Sequence, residues 1–277
     1  MTVWCLGSIN ADHFYTVPHL VAPGETLIVQ SHSKGLGGKG ANQSVAAARA
    51  GANVRHIGAV GLDGEWAVEA LAGFGVDVSR IVRVDAPTAH AIIQVDANGE
   101  NAILVHPGAN MMIPTPDFAD AFVGDTLLLQ NETSGTIAAA RTAKAEGLRV
   151  VYSAAPFDAA TVREILPFID LLLVNALENA ALETEFSDIA VDRVVTRGSD
   201  GAEWIGVAKL PAHAVQAVDT TGAGDCFAGT LVAALDQGMS REDALRRAII
   251  ASALQVTKKG TADAMPLKED VDRLIGL

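Results

Sequence analysis

Short apolar runs alternate with helical patterns through the second half of the chain, and this alternation limits the possible folds more than any other feature. The alternating segments, strand first, are Thr126–Gln130, Thr136–Ala145, Val150–Ser153, Thr161–Phe168, Leu171–Val174, Glu178–Phe186 and Arg193–Thr196. Strands separated in this way pair in parallel, each joined to the next by a right-handed helical crossover. We therefore predict an α/β fold, a doubly wound and mostly parallel sheet with helices on both faces.

The two ends of the chain extend this pattern. At the N-terminal end, strand and helix patterns alternate at Val3–Leu6, Ala41–Ala50, Val54–Val60 and Glu65–Ala72. The C-terminal end has no strand pattern and predicts helices at Ala223–Gln237, Arg241–Val256 and Val271–Ile275. We expect residues 1–277 to form one α/β domain.

Two segments depart from the alternation and carry β signals instead. Residues 12–36 include the β-rich run Thr26–Gln30 between turn residues, which predicts loop and extended strand. Residues 87–106 hold an Asn-Gly pair between the apolar runs Ala91–Val95 and Ala102–Val105, a strong hairpin signal. We predict that these two segments fold together into a small β-sheet that serves as a lid.

The charge balance excludes several classes of partner. The 277 residues carry 20 Lys and Arg against 33 Asp and Glu, a formal net charge of −13, so the surface repels nucleic acid and anionic lipid. No apolar run reaches the ~18 residues of a membrane span, and the chain opens on a strand pattern rather than a secretory leader. We expect a cytoplasmic protein with no nucleic-acid or membrane partner, in which Cys5 and Cys226 are reduced thiols.

A first cluster of glycines, from Gly35 to Gly40, matches the pattern G-x-G-x-x-G. Alone this pattern is a weak indication of a dinucleotide site, and here it does not follow the first strand of a βαβ unit. A P-loop does not fit, because Gly40 stands after Lys39 where Ser or Thr is needed. A tight turn explains the glycines equally well, and a NAD-dependent dehydrogenase stays open as an alternative.

A second cluster is more specific and directly precedes a long apolar helix. Its sequence is Asp219-Thr220-Thr221-Gly222-Ala223-Gly224-Asp225. The glycines allow a sharp turn, after which consecutive N–H groups at the helix N-terminus can face a ligand beside a carboxylate. An N-cap by Asp225 would need one residue rather than two glycines and a second aspartate. The cluster therefore indicates an anion-binding site.

Further motifs accompany the two glycine clusters in a fixed order along the chain. They are Gly7–Asp12, Gly37–Gln43, Leu127–Glu132, Asn175–Glu178, Thr196–Gly201 and Asp219–Asp225. Together they resemble the signatures of the ribokinase (PfkB-type) carbohydrate kinases, and the resemblance covers nearly the whole chain. It implies a ribokinase-like fold and an ATP-dependent kinase that phosphorylates a sugar hydroxyl.

The resemblance implies a role for each matching residue around the sugar. Asp225 would accept the proton of the attacking hydroxyl. Because Asp225 would lie at a helix N-terminus, we expect its carboxyl group to be ionised and therefore a weak base. Backbone amides would form an anion hole for the transferred phosphoryl group, contributed by Gly222, Ala223 and Gly224. The sugar hydroxyls would be bound by Asn10, Asp12, Gly38, Lys39, Asn42 and Glu132.

The resemblance also implies ATP, Mg²⁺ and K⁺. Asn175 and Glu178 would hold Mg²⁺ through water and organise the ATP phosphates. The nucleotide would lie along a loop that contains Thr196, Arg197, Gly198 and Gly201. A monovalent cation, K⁺, would be held by Asp219, Thr221, Val256 and Gly260. The exposed edge of the lid would pair with a second copy of the chain, which predicts a homodimer.

The resemblance implies that Asn10 and Asp12 bind pentose hydroxyls, and it therefore favours D-ribose as the sugar, with ribose 5-phosphate as the product. A polyol needs many polar partners, since each buried hydroxyl without one costs ~1–3 kcal/mol. Another sugar, a sugar acid or a nucleoside is the alternative acceptor on the same fold. A non-catalytic sugar- or nucleotide-binding protein is a further alternative, although such a protein would need no base at Asp225.

Overall fold

The computed structural model describes residues 1–186 and 188–276. Apolar runs form its central strands, because helices cover both faces of a parallel sheet. The strands, numbered in chain order, are β1 (Thr2–Leu6), β2 (Asn10–Thr16), β3 (Ser31–Gly37), β4 (Asn53–Val60), β5 (Asp77–Arg83), β6 (Ala89–Val95), β7 (Asn101–His106), β8 (Thr126–Leu129), β9 (Arg149–Ser153), β10 (Leu171–Asn175), β11 (Asp192–Thr196), β12 (Ala202–Trp204) and β13 (Ala208–Leu210).

The helices follow the predicted positions and differ from them by a few residues at their ends. They are α1 (Lys39–Arg49), α2 (Glu65–Gly73), α3 (Thr136–Ala145), α4 (Ala159–Ile165), α5 (Ala176–Glu185), α6 (Ala223–Asp236), α7 (Arg241–Gln255) and α8 (Lys268–Ile275). Across the described residues, none of the helices has both the length and the apolar character needed to cross a bilayer.

The large sheet has nine strands in the order β13-β12-β11-β10-β9-β8-β1-β4-β5. Its neighbours pair in parallel except at one edge, where β11–β12 and β12–β13 are antiparallel. The predicted doubly wound, mostly parallel sheet is therefore confirmed. Winding proceeds from β1 towards β5 on one side and from β8 towards β11 on the other. The direction reverses between β1 and β8, which opens a crevice at the carboxyl ends of these two strands.

Helices cover both faces of the large sheet, each over its own apolar core. One core lies under α1, α6 and α7 and includes Val45 and Leu231, and the other lies under α3 and α4 and includes Val162. Helix α6 packs closely on α1, because a Cβ on Gly229 would come within 2.3 Å of the Gln43 carbonyl oxygen. This glycine thus allows the start of α1 to approach the first turn of α6.

A separate sheet has four strands in the order β3-β2-β6-β7, and β6 and β7 form the predicted hairpin. Two local predictions are wrong. Thr26–Gln30 belongs to the loop between β2 and β3 rather than to a strand, and the glycines from Gly35 to Gly37 lie in β3 rather than in a turn. Pairing with β2 explains the glycines, because a Cβ on Gly37 would lie 1.9 Å from Asp12 Oδ2.

Candidate active site

The crevice between β1 and β8 brings together residues that are far apart in the sequence. Ser8 follows β1 and Glu132 follows β8, and Ser8 Oγ donates to Glu132 Oε2 over 2.5 Å. Glu132 Oε1 lies 3.6 Å from Lys39 Nζ, and Lys39 is the first residue of α1. The carboxyl ends of two strands and the start of one helix therefore converge at this point.

Asp225 lies in the first turn of α6, facing the start of α1. Gly222 precedes this helix with φ at +82°, a left-handed conformation that glycine adopts without strain. The Asp225 carboxylate is buried and accepts hydrogen bonds of 3.0 Å from Asn42 Nδ2 and Gln43 Nε2. Gln130 Nε2 donates in turn to Gln43 Oε1 over 2.7 Å. A chain of side-chain amides therefore fixes the orientation of the carboxylate.

The first turn of α6 also offers backbone N–H groups to an anion. The amides of Gly224 and Asp225 have no partner within the helix, as in the first turn of any α-helix. The Ala223 N–H differs, because it donates to the Thr220 carbonyl over 3.2 Å. The Ala223 amide, which was predicted to form part of the anion hole, is therefore already hydrogen-bonded within the chain. Asp225 supplies a free amide to this site as well as its carboxylate.

Several carboxylates share the crevice with the Lys39 ammonium, and their charges act on one another. Burial, reinforced by the charges of Glu132 and Asp225, raises the pKa of Asp12 to about 7. Burial lowers the pKa of Lys39, but the charges of Asp225 and Glu132 outweigh it and raise that pKa. The Oδ1 atoms of Asp12 and Asn42 are buried without a hydrogen-bond partner. Because an unpaired buried acceptor is costly, these two atoms are suited to accept from ligand hydroxyls.

Asn10 and Asp12 lie two residues apart on β2 and therefore on the same face of that strand. Asn10 Oδ1 accepts from Asn110 Nδ2 over 2.9 Å, and Asn110 Oδ1 accepts from the Ile9 N–H over 3.0 Å. These bonds leave the Asn10 side-chain N–H groups to donate to a ligand. Gly38 caps α1 with φ at +92°, where a Cβ would lie 2.6 Å from the Ser8 carbonyl oxygen. Its backbone thus lies directly against the segment that connects β1 and β2.

Asp225 is not the weak base expected from its place at a helix N-terminus. Burial raises the pKa of Asp225, and the Lys39 charge and the hydrogen bonds from Gln43 and Asn42 offset this only in part. The loss of solvent around the carboxylate therefore outweighs the helix N-terminus and the donors. A carboxylate with a raised pKa accepts a proton more readily than a surface aspartate.

A cleft of about 230 Å³ leads from Asp225 along the carboxyl ends of β9, β10 and β11. Its lining includes Lys39, Asn175, Glu178, Thr196 and Gly224. Asn175 and Glu178 begin α5 with a capping box, in which the Glu178 N–H donates to Asn175 Oδ1 over 2.9 Å. The Asn175 N–H donates back to Glu178 Oε2 over 2.8 Å. The capping box fixes the Glu178 side chain at the rim of the cleft.

Only part of the predicted nucleotide loop lines the cleft. Thr196 ends β11 and lines the cleft. The loop continues as a tight turn that contains Arg197, Gly198 and Gly201, which are not among the residues that line the cleft. Within this turn, Arg197 Nη2 pairs with Glu203 Oε2 at 2.9 Å. The Arg197 charge is therefore directed towards β12, while its backbone continues the line of β11.

The oxygen atoms at the cleft suit a hydrated Mg²⁺. The capping box uses Glu178 Oε2, which leaves Oε1 to accept from metal-bound water. Burial raises the pKa of Glu178, partly offset by the Asn175 N–H and by the Lys39 charge. Across residues 1–186 and 188–276, no group of three or more His, Cys, Asp or Glu is arranged to hold a metal ion directly. One carboxylate suits an Mg²⁺ that keeps most of its water and is bound by substrate phosphates.

The groups predicted to hold a monovalent cation are already engaged within the chain. The Asp219 carboxylate accepts from the N–H groups of Thr221 and Gly260 over 2.9 and 3.0 Å. The Val256 carbonyl accepts from the Asp219 N–H over 3.1 Å. The carbonyls of Thr221 and Gly260 both accept from Gln255 Nε2. With the Gln255 amide between them, these residues do not fit a monovalent cation.

Comparison with known proteins identifies the family. Residues 2–268 match the pfkB family of carbohydrate kinases. The chain belongs to this family. The ribokinase of Haemophilus influenzae is 38% identical over 97% of this carbohydrate kinase and 96% of its own length. The ribokinase of Cryptococcus neoformans var. grubii serotype A, solved in complex with ADP, is 35% identical with a TM-score of 0.86, over 99% of both chains. The ribokinase of Arabidopsis thaliana, solved with ribose and ATP, is 28% identical with a TM-score of 0.85, over 100% of this chain and 98% of that one.

Membership of the pfkB family confirms the resemblance inferred from the sequence motifs. The chain is a carbohydrate kinase, so the alternatives of a NAD-dependent dehydrogenase and a non-catalytic binding protein are wrong. The fold agrees, because the glycines from Gly35 to Gly37 lie in β3 of the small sheet. A dinucleotide loop would instead follow the first strand of the large sheet.

Several residues of this carbohydrate kinase site were not assigned a role from the sequence, among them Gln43, Gln130 and Asn110. Gln43 and Gln130 stand inside two of the motifs, and their buried side chains extend the hydrogen bonds of Asp225. Asn110 lies outside every motif and reaches Asn10 from 100 positions further along the chain. A polar residue inside a motif is a signal that sequence reasoning can use, whereas only the fold brings Asn110 to the site.

Proposed function

We propose that this carbohydrate kinase transfers the γ-phosphoryl group of ATP to the 5-hydroxyl of D-ribose. The observation that carries the proposal is the buried Asp225 carboxylate, flanked by free helix amides and facing the crevice that contains Asp12 and Lys39. A base, an anion site and a set of hydroxyl partners are what a sugar kinase must place side by side. The relatives named ribokinase support ribose as the sugar.

In the proposed reaction, the 5-hydroxyl oxygen of ribose attacks the γ-phosphorus of ATP. The new oxygen–phosphorus bond forms as the bond from the γ-phosphorus to the β–γ bridging oxygen breaks, and ADP leaves. The hydroxyl proton passes to the Asp225 carboxylate, whose raised pKa suits this transfer, and then to solvent. Lys39 and the free amides of α6 stabilise the charge on the phosphoryl oxygens.

Ribose hydroxyls would pair with the groups that the crevice leaves unsatisfied. Asp12 and Asn42 each provide a buried acceptor, and Lys39 and the Asn10 side chain provide donors. These groups come from β2 and α1, so the sugar would lie between the small sheet and the large one. ATP would occupy the cleft that extends past Glu178, with Mg²⁺ neutralising its phosphates.

The acceptor is tested by measuring ADP release from ATP with ribose, 2-deoxyribose, fructose and adenosine under one set of conditions. We expect ribose to give the highest kcat/KM. If ribose releases no ADP above background while a hexose or a nucleoside does, the sugar is wrongly assigned although the chain remains a carbohydrate kinase.

Replacing Glu178 by Gln is expected to raise the Mg²⁺ concentration needed for half-maximal activity by about tenfold, the usual effect of losing a partner of metal-bound water. The helix should survive, because Gln also completes a capping box. Glu183→Gln on the exposed side of the same helix is the matched control. The role of Glu178 would be contradicted by Mg²⁺ titrations of the two variants that coincide.

The small sheet is proposed to be a lid and the surface of a homodimer. Its edge strand β7 is exposed along its whole length, and Ile103, Leu104 and Val105 are 52%, 67% and 62% exposed. An apolar edge strand of this kind tends to pair with another chain. The lid proposal places this edge in contact with the small sheet of a second copy.

Light scattering tests the homodimer, which is expected to show twice the mass of one chain. Leu104→Lys should shift the mass towards that of a monomer, because it places a charge on the apolar edge. Leu267→Lys, at an exposed position outside the small sheet, should leave the mass unchanged. A monomeric parent protein, or a Leu104→Lys variant that stays dimeric, would contradict the proposal.

A further inference from the structure

The side chain of Gln255 connects the loop before α6 with the loop after α7. Gln255 is the last residue of α7 and is completely buried. Its Nε2 donates to the Thr221 carbonyl over 2.8 Å and to the Gly260 carbonyl over 3.1 Å. Thr221 directly precedes Gly222, the N-cap of the helix that carries Asp225. One side-chain amide therefore holds the backbone next to the anion site.

The direction of the Gln255 amide follows from its partners. Both neighbours are carbonyl oxygens, which only accept, so the –NH₂ group must face them. Gln255 Oε1 is buried without a partner, on the opposite side of the amide. Rotating the amide would bring three oxygens together and leave both carbonyls unpaired. Two hydrogen bonds thus hold the side chain in one orientation, although its own oxygen stays unsatisfied.

A carboxylate binds the backbone of the same two residues. Asp219 accepts from the N–H groups of Thr221 and Gly260, the same two residues whose carbonyls face Gln255. Burial raises the pKa of Asp219, but these two N–H groups and the Lys259 charge outweigh it, so that pKa is lowered. The carboxylate therefore stays ionised with its partners inside the chain. Carbonyls, a carboxylate and a central positive group are also the elements of a monovalent-cation site.

We propose that the Gln255 amide takes the place of a monovalent cation in this carbohydrate kinase and holds the Thr221–Gly222 turn in its active shape. The –NH₂ group supplies the positive end of a dipole between the same carbonyls that a cation would bridge. Phosphoryl transfer by this chain therefore needs no K⁺. Gln255 is a positioning residue, because it acts on the anion site through the Thr221 backbone. The proposal rests on the kinase activity proposed above.

Two substitutions separate the roles of the amide and of its volume. Gln255→Ala removes the amide and opens space between the carbonyls, whereas Gln255→Leu removes the donor and keeps a side chain of similar size. ADP release with ribose is measured in KCl and in tetramethylammonium chloride at matched ionic strength. Gln237→Ala is the matched control, since Gln237 donates to the single Ala50 carbonyl at the far end of α6.

The parent protein and Gln237→Ala are expected to be equally active in both salts. Gln255→Ala should lose about tenfold in kcat in tetramethylammonium, the equivalent of one to two hydrogen bonds, and recover most of it in K⁺. Gln255→Leu should lose as much and recover nothing. Activation of the parent protein by K⁺, or equal losses in both salts for Gln255→Ala, would overturn the proposal.

Melting temperature provides a readout that does not depend on the sugar. K⁺ should raise the melting temperature of Gln255→Ala and leave those of the parent protein and Gln255→Leu unchanged. If ribose releases no ADP in either salt, the proposed function fails, and the melting temperatures still decide the role of Gln255. A parent protein that K⁺ stabilises would show that the cation displaces the amide and would contradict the inference.

Discussion

Asp225→Asn is expected to lower kcat by ~10²–10⁴, the usual contribution of a positioned general base. The substitution keeps the size of the side chain and removes the charge and the proton acceptor. The fold should survive, because the Asn42 amide can rotate and present its Oδ1 to the new –NH₂ group. In the parent protein this Oδ1 has no hydrogen-bond partner. KM for ATP should change little, whereas KM for the sugar should rise, since the rotated Asn42 Oδ1 no longer faces a sugar hydroxyl. Steady-state kinetics of the purified variant measure all three constants.

A matched variant separates the base from the loss of a buried charge. Asp236 lies at the opposite end of the same helix and is also buried. Asp236→Asn should keep the activity of the parent protein, whereas Asp225→Asn should not. The assignment of Asp225 would be contradicted if a folded Asp225→Asn protein kept more than about a tenth of the parent turnover, well outside the expected range.

Asp12→Asn is expected to weaken the sugar site and to stabilise the fold. Loss of a charged acceptor should raise KM for ribose by about 10–100-fold, with a smaller effect on kcat. The same change removes a buried negative charge next to Glu132 and Asp225. Asp12 is only 8% exposed, so at about pH 8 the variant should gain up to about 4 kcal/mol in free energy of unfolding, the equivalent of a pKa raised from its ordinary value near 4.

The sign of this gain follows from proton binding. In the unfolded chain Asp12 loses its proton near pH 4, whereas in the folded protein it loses it at about pH 7. The contribution of Asp12 to the free energy of unfolding of the parent protein is therefore highest below about pH 4. It falls as the pH rises to about 7, and above that pH it falls no further. Asp12→Asn removes this loss, so its advantage should grow over the same pH interval.

Melting temperatures at about pH 5 and about pH 8, one on each side of the raised pKa, measure this growth. Asp85→Asn, at an exposed position, is the control for removing one negative charge from an acidic protein. An advantage of Asp12→Asn that is equal at the two pH values, or absent at the higher one, would contradict the buried charge at Asp12.

The sequence predicted the large sheet well because its strands are apolar runs separated by helical patterns. Helix α3 has the predicted bounds, and β6 and β7 form the hairpin indicated by Asn98-Gly99. Strand β5 was missed, since charged and polar residues interrupt its pattern. Strand β3 was missed because its glycines and exposed residues give no apolar pattern. Only pairing with β2 makes that segment a strand.

The site was predictable where a motif concentrates it and not where the fold assembles it. Asp225, Lys39 and Glu132 lie in motifs, and the structure brings them into one charged cluster. The orientation of Asp225 depends on Gln43 packing against α6, which needs the small Gly229 one turn further along. The raised pKa of Asp225 depends on burial, which no motif records. Tertiary packing therefore decides the chemistry of groups that the sequence can only locate.

Phosphorus NMR of the reaction mixture shows whether ATP phosphorylates ribose at its 5-hydroxyl. ATP, Mg²⁺, ribose and the purified protein are incubated, and the product is identified by its coupling to the sugar protons. We expect a single phosphomonoester coupled to the protons on C5, formed in step with ADP and formed ~10²–10⁴-fold more slowly with Asp225→Asn. A phosphomonoester on another ribose carbon, or ADP formed together with free phosphate only, would contradict it.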